Sequence, residues 1–132
     1  IDTIWLLAEK HSISDRLTLI INSEFSRTPY YNGDNGKDHW PIGSTIIMKK
    51  GVSWTNRVVG RTDELQNGIK INPATLEIDE DNGSLIYHKD VMMALRRHLG
   101  VADHPSITQF DLNIDQEFDF FNPELSTPQL YS

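Results

Sequence analysis

The feature that most constrains this chain is the uninterrupted apolar run Leu17–Ile21, bounded by Arg16 on one side and Asn22 on the other. The run is too short for a typical helix, and its β-branched Thr18, Ile20 and Ile21 favour an extended backbone. Continuous apolarity, rather than alternation, predicts a strand covered on both faces, as in a parallel sheet. Directly after it come Ser23-Glu24-Phe25-Ser26-Arg27, then a polar loop with Gly33 and Gly36, closed by Lys37-Asp38-His39-Trp40-Pro41. In open α/β sheets, ligands bind beyond the carboxyl ends of the strands. A carboxylate, a guanidinium and an imidazole at that place are positioned for chemistry. The plainer alternative stays open: Glu24 and Arg27 as a surface ion pair, His39 and Trp40 as a packed loop anchor.

The flanking pattern supports an α/β reading. Ile1, Ile4, Trp5 and Ala8 form the stripe of an amphipathic helix, widened by Leu6 and Leu7 and expected to end near His11. Ser44–Met48 predicts a second strand. A third is expected within Arg57–Thr62, and a fourth around Ile69 and Ile71 after the Asn67-Gly68 hairpin signal. Val91, Met92, Leu95 and Leu99 make one face of a helix over His88–Leu99, with Gly100 placed to close it and Val101 to follow in a Schellman motif. Asp79–Gly83 lacks the alternating ligands of a calcium loop and reads as a solvated acidic turn. Beyond Val101 there is no Lys or Arg, and Phe110, Leu112, Ile114, Phe118, Phe120 and Phe121 interleave with acids. That segment reads as an arm packed on the body or left loose.

Composition narrows the function classes. The 132 residues carry 12 bases against 19 acids, a net charge of −7, which disfavours nucleic acid and anionic membrane surfaces. No apolar run is long enough for a membrane span. The absence of cysteine excludes disulfides. The chain begins Ile-Asp-Thr-Ile-Trp, which is neither a signal peptide nor an initiator start, so a cut fragment is the expected reading. No G-x-S-x-G elbow, Walker loop or paired-histidine metal spacing is present.

The ordered motifs Ser23-Glu24-Phe25-Ser26-Arg27-Thr28-Pro29, Asn32-Gly33, and Gly36-Lys37-Asp38-His39-Trp40, followed by Val59-Gly60-Arg61-Thr62-Asp63-Glu64 and Leu99-Gly100-Val101, resemble the C-terminal part of the bacterial domain of unknown function 1501 proteins. Ser26 stands where that family usually has Gly, and Lys37 where it usually has Arg. The resemblance covers roughly residues 1 to 101. These proteins are often exported by the twin-arginine route and are described as sulfatase-like, similar to the alkaline phosphatase superfamily.

The resemblance implies an α/β fold: the C-terminal portion of an α/β/α sandwich with a mostly parallel sheet over residues 1–106, followed by the acidic-aromatic tail 107–132. It implies a metal-assisted hydrolase of phosphate or sulfate esters, whose nucleophile lies outside this stretch, so that the piece alone is inactive. A divalent metal is then held by Glu24, His39 and Asp38, with Asp38 either a ligand or the acceptor that fixes the imidazole. Arg27 and Lys37 bind the ester anion. Glu24-Phe25-Ser26 stands where the superfamily often has Asp-His-Gly, and Phe25 cannot ligate a metal, a departure that favours the alternative: a non-catalytic exported protein that keeps the fold and binds an anionic ligand or a protein. The implied location is the periplasm. The implied partners are a small-molecule ester or anion, and either the remaining N-terminal part of the protein or further copies of the chain.

Overall fold

A computed structural model describes residues 1–125. The chain divides into two compact units, Ile1–Thr55 and Asn56–Ser132. The division falls inside the segment 1–106, and the described part of the acidic-aromatic arm, 107–125, belongs to the second unit.

In the first unit, helix α1 spans Asp2–Lys10, strand β1 spans Thr18–Asn22, β2 Ser26–Arg27, β3 His39–Trp40 and β4 Thr45–Lys49. Helix α1 ends in a Schellman motif. Ser12 N–H donates to Glu9 O at 3.0 Å, and Ile13 N–H donates to Ala8 O at 2.9 Å. The left-handed position usually given to Gly is held by Ser12, with φ +54°. Ala8 is buried and Trp5 half-buried, whereas Ile4, Leu6 and Leu7 are exposed, so only a narrow part of the expected apolar face is covered.

β1 pairs with β4, but antiparallel, in the register Thr18↔Lys49, Ile20↔Ile47, Asn22↔Thr45. The parallel neighbour expected for Leu17–Ile21 is absent among the described residues. A parallel return needs a crossover of a dozen or more residues, usually helical. The chain between β1 and β4 instead holds only the short pair β2–β3. Nor is β1 covered on both faces, since Ile20 is 42% and Ile21 37% exposed.

The second unit is centred on Ile71, only 1% exposed, with Leu76 and Phe118; Val59, Ile86 and Phe120 pack around them. Neither the strand expected at Arg57–Thr62 nor the one at Ile69–Ile71 forms. Polar side chains satisfy the backbone instead. The Asp63 carboxylate accepts from the N–H groups of Leu65 and Asn67, leaving a single bridge between Thr62 and Gly68. Asn72 Oδ1 likewise accepts from Ala74 and Thr75 N–H. Asp79 accepts from Asn82 N–H and Asn72 Nδ2, bonds that hold its carboxyl below the usual carboxylate range. Its carboxylate is thus committed to closing the turn, as the solvated-turn reading requires.

Helix α2, His88–His98, starts with buried Asp90 accepting from Tyr87 N–H at 2.7 Å. It stops at the expected Schellman motif, with Gly100 N–H on Arg97 O and Val101 N–H on Arg96 O, both at 3.0 Å. A short helix α3, Pro105–Thr108, follows, capped by His104 Nδ1 accepting from Ser106 N–H. The arm beyond it makes no strand among the described residues. Phe118 enters the core and stacks on Phe120 at 5.3 Å, and Arg97 clamps Glu117 through Nε and Nη2. That hydrogen bonding lowers the Glu117 carboxyl below its ordinary range.

Two substitutions test these local devices. Gly83 lies so close to the backbone of Ile71 that an added Cβ would meet Asp79 O at 2.3 Å and Ile71 C at 2.9 Å. Gly83→Ala is expected to destabilise the second unit by about 2 kcal/mol in urea unfolding, through forced backbone movement at the core. Ser12→Gly relieves the left-handed strain at the end of α1 and is expected to stabilise the first unit by about 1 kcal/mol.

Candidate functional site

The loop between β2 and β3 is closed by side chains rather than by regular structure. Thr28, 3% exposed, donates its hydroxyl to Tyr30 O at 2.8 Å and accepts from Asp38 N–H at 3.3 Å. Its own N–H reaches Asp38 O at 3.1 Å. Asn32 is the second fastening. Its Oδ1 accepts from Asp34 and Gly36 N–H, and its Nδ2 donates to Asp38 Oδ1 at 2.8 Å.

With the loop pinned, the antiparallel register places Arg27 directly opposite His39, and Ser26 opposite Trp40. The Phe25 ring stacks on the His39 ring with centroids 3.6 Å apart and planes 20° from parallel. The Arg27 guanidinium carbon stands 5.1 Å from the centre of the Phe25 ring, and Arg27 Nη1 donates to Lys37 O at 3.0 Å. Lys37 Nζ lies 5.2 Å from the centre of the Tyr31 ring. The result is two rings, half-buried Phe25 and exposed Tyr31, each carrying one cation through a cation–π contact of about 0.5–1 kcal/mol.

The expected site residues are therefore brought together unevenly. Arg27, Lys37 and His39 share one patch. Asp38 adjoins it in sequence, but one carboxylate oxygen is taken by Asn32. Glu24 is exposed and makes no ion pair among the described residues, so the Glu24–Arg27 surface pair is not formed. Among the described residues no three His, Asp or Glu side chains gather as they would around a metal ion. Glu24, Asp38 and His39 are therefore not gathered together in this structure. The Ser23 hydroxyl donates to Phe25 O at 2.7 Å and that of Ser26 to Trp40 O at 3.4 Å. Each hydroxyl is bonded to a carbonyl oxygen.

Two residues matter more than their types suggested. Phe25 stood out only as a position unable to ligate a metal, yet it is the stacking surface for both His39 and Arg27. Asn32 was legible only as part of the Asn32-Gly33 motif that carries the resemblance, not as a fastening of the loop.

A family model described as Protein of unknown function (DUF1501) matches residues 9–105. The chain belongs to this family. No curated protein and no solved structure matches it. The family match takes in β1 to β4, α2 and every candidate site residue, but stops short of Phe118, whose ring completes the core of the second unit. No helix among the described residues is long and apolar enough to cross a membrane.

Asn32→Ala removes the acceptor for two amides and the partner of Asp38. It is expected to cost about 1–2 kcal/mol and to speed hydrogen exchange at Gly36 N–H, read by amide exchange in NMR.

Proposed function

We propose that this chain binds the anionic group of a phosphate or sulfate ester, as the anion-recognising part of an ester hydrolase resembling the alkaline phosphatase superfamily. The observation that carries the reading is the cross-strand pair Arg27–His39, with Arg27 and Lys37 held on the Phe25 and Tyr31 rings. A guanidinium presents several donors in a plane and engages two oxygens of a tetrahedral anion at once, while an ammonium adds a point charge. His39, directly across from Arg27, is placed to hydrogen-bond a third oxygen or the bridging atom. The mostly parallel α/β/α sandwich, the divalent metal at Glu24, Asp38 and His39, and export by the twin-arginine route to the periplasm belong to the same proposal through the family resemblance. The nucleophile is not among Ser23 and Ser26, so the chain is expected to bind without turnover.

A second reading is a non-catalytic exported protein that binds an anionic ligand. It is favoured by the engaged serine hydroxyls and by the ungathered Glu24, Asp38 and His39. Both readings share the anion site and part on turnover. Titration with sulfate and phosphate, followed at the His39 ring and the Arg27 guanidinium by NMR, is expected to saturate with a Kd of about 1 mM, the scale of a few exposed charge-assisted bonds. Arg27→Ala is expected to weaken binding about tenfold, and Lys37→Ala severalfold. Equal affinity in all three proteins removes the anion site. Turnover of aryl phosphates or sulfates by the protein bearing a complete catalytic half, lost in His39→Ala, selects the hydrolase over the binding protein.

A further inference from the structure

Four asparagines are each followed by glycine: Asn32-Gly33, Asn35-Gly36, Asn67-Gly68 and Asn82-Gly83. In such a pair the glycine nitrogen is able to attack the asparagine carboxamide, because glycine has no Cβ in the way. Two freedoms are needed. The glycine N–H must be able to give up its proton, and the carboxamide must be able to turn its carbon toward that nitrogen.

The fold grants these freedoms unequally. Gly36 N–H donates to Asn32 Oδ1 at 2.9 Å, and Gly83 N–H donates to Asp79 O at 2.9 Å, so both nitrogens are held in their protonated form. Asn32 is protected from the other side. Its Oδ1 accepts two amides and its Nδ2 donates to Asp38, which fixes the carboxamide in place. Asn67-Gly68 has neither protection. The single Thr62–Gly68 bridge uses Asp63 N–H on Asn67 O and Ile69 N–H on Arg61 O, and Gly68 N–H donates to no acceptor among the described residues. The exposed Asn67 carboxamide is held by one bond, from Nδ2 to Asp63 Oδ2 at 3.0 Å. Gln66, just before it, sits in the left-handed region at φ +60°, a conformation unfavourable to a residue with a side chain, so this turn opens more readily than its neighbours.

We propose that Asn67 is a modification site, where spontaneous deamidation unfastens the turn at 63–68. Hydroxide removes the Gly68 amide proton. The nitrogen then bonds to Asn67 Cγ, the Cγ–Nδ2 bond breaks, and the carboxamide nitrogen takes a proton from water and leaves as ammonia. Water adds to one carbonyl of the resulting five-membered imide and opens it to an aspartyl or isoaspartyl residue. The net exchange is water for ammonia, with no oxidant or reductant, and the chain gains one negative charge. That charge lands against Asp63. The Asn67 side-chain donor is the first cause that holds the Asp63 carboxyl below its ordinary range. A carboxylate in its place donates nothing and repels. Because Asp63 Oδ1 also accepts the Asn67 N–H at 2.8 Å, the turn and its single bridge loosen together. Unlike the proposed anion site, this one requires nothing of Arg27, Lys37 or His39.

Incubation of the full chain at mildly alkaline pH, followed by peptide mapping with mass spectrometry and isoaspartate-specific methylation, reads each of the four positions separately. Position 67 is expected to convert about tenfold faster than 32, 35 or 82 in the folded chain, at a rate that climbs with pH. In denaturing urea the four rates are expected to converge, because each pair is Asn-Gly and the protections of the fold are gone. Asn67→Asp, which imitates the aspartyl product, is expected to move the Asp63 carboxyl titration upward in NMR, since its donor becomes a second acid. Conversion of any other of the four ahead of position 67 in the folded chain overturns the proposal. So does a preference for position 67 that persists in urea, or an Asp63 titration unmoved in Asn67→Asp.

Discussion

The candidate site depends on one buried hydroxyl. Thr28 sits where β2 leaves its partner, and its side chain and backbone together bond both ends of the loop, Tyr30 and Asp38. Strands β2 and β3 are too short to hold a register by their own ladder. A buried, satisfied polar group supplies what the ladder lacks, because an alternative loop path would leave it unpaired at a cost of about 1–3 kcal/mol. The Arg27–His39 pairing, and with it the stacking of Phe25, follows from that closure.

The elements legible in the sequence were those with local signals. Helix α2 is marked by its apolar stripe and by Gly100, and it ends with the two hydrogen bonds that a Schellman motif prescribes. Helix α1 closes the same way but with Ser12 in the left-handed position, so its cap was hidden: Gly announces that conformation and Ser does not. Leu17–Ile21 was readable as a strand, because β-branching acts residue by residue. Its neighbour and the cover on its faces were not, because those depend on what the following chain does. The strands expected at Arg57–Thr62 and Ile69–Ile71 gave way to Asp63, Asn72 and Asp79, whose side chains bond the backbone groups a ladder would have used.

The site shows the same division. Arg27, Lys37 and His39 could be named from their chemistry and spacing. Their arrangement could not, since a loop of this length admits many registers and only the Thr28 and Asn32 bonds select one. The role of Phe25 was invisible for a related reason. An aromatic side chain is a stacking surface only when something is placed against it, and His39 arrives from the far end of the loop.

The division of the chain between Thr55 and Asn56 has an optical consequence. All three tryptophans, Trp5, Trp40 and Trp54, lie in the first unit. The second unit has only Tyr87 and Tyr131 with its phenylalanines as chromophores. Indole emission therefore reports on α1, the β2–β3 loop and the region around Trp54, and is blind to the Ile71–Phe118 core. Far-ultraviolet dichroism, weighted by α2 as well as α1, sees both. Where the two units unfold independently, these signals part company, and a single midpoint from indole emission describes the first unit alone.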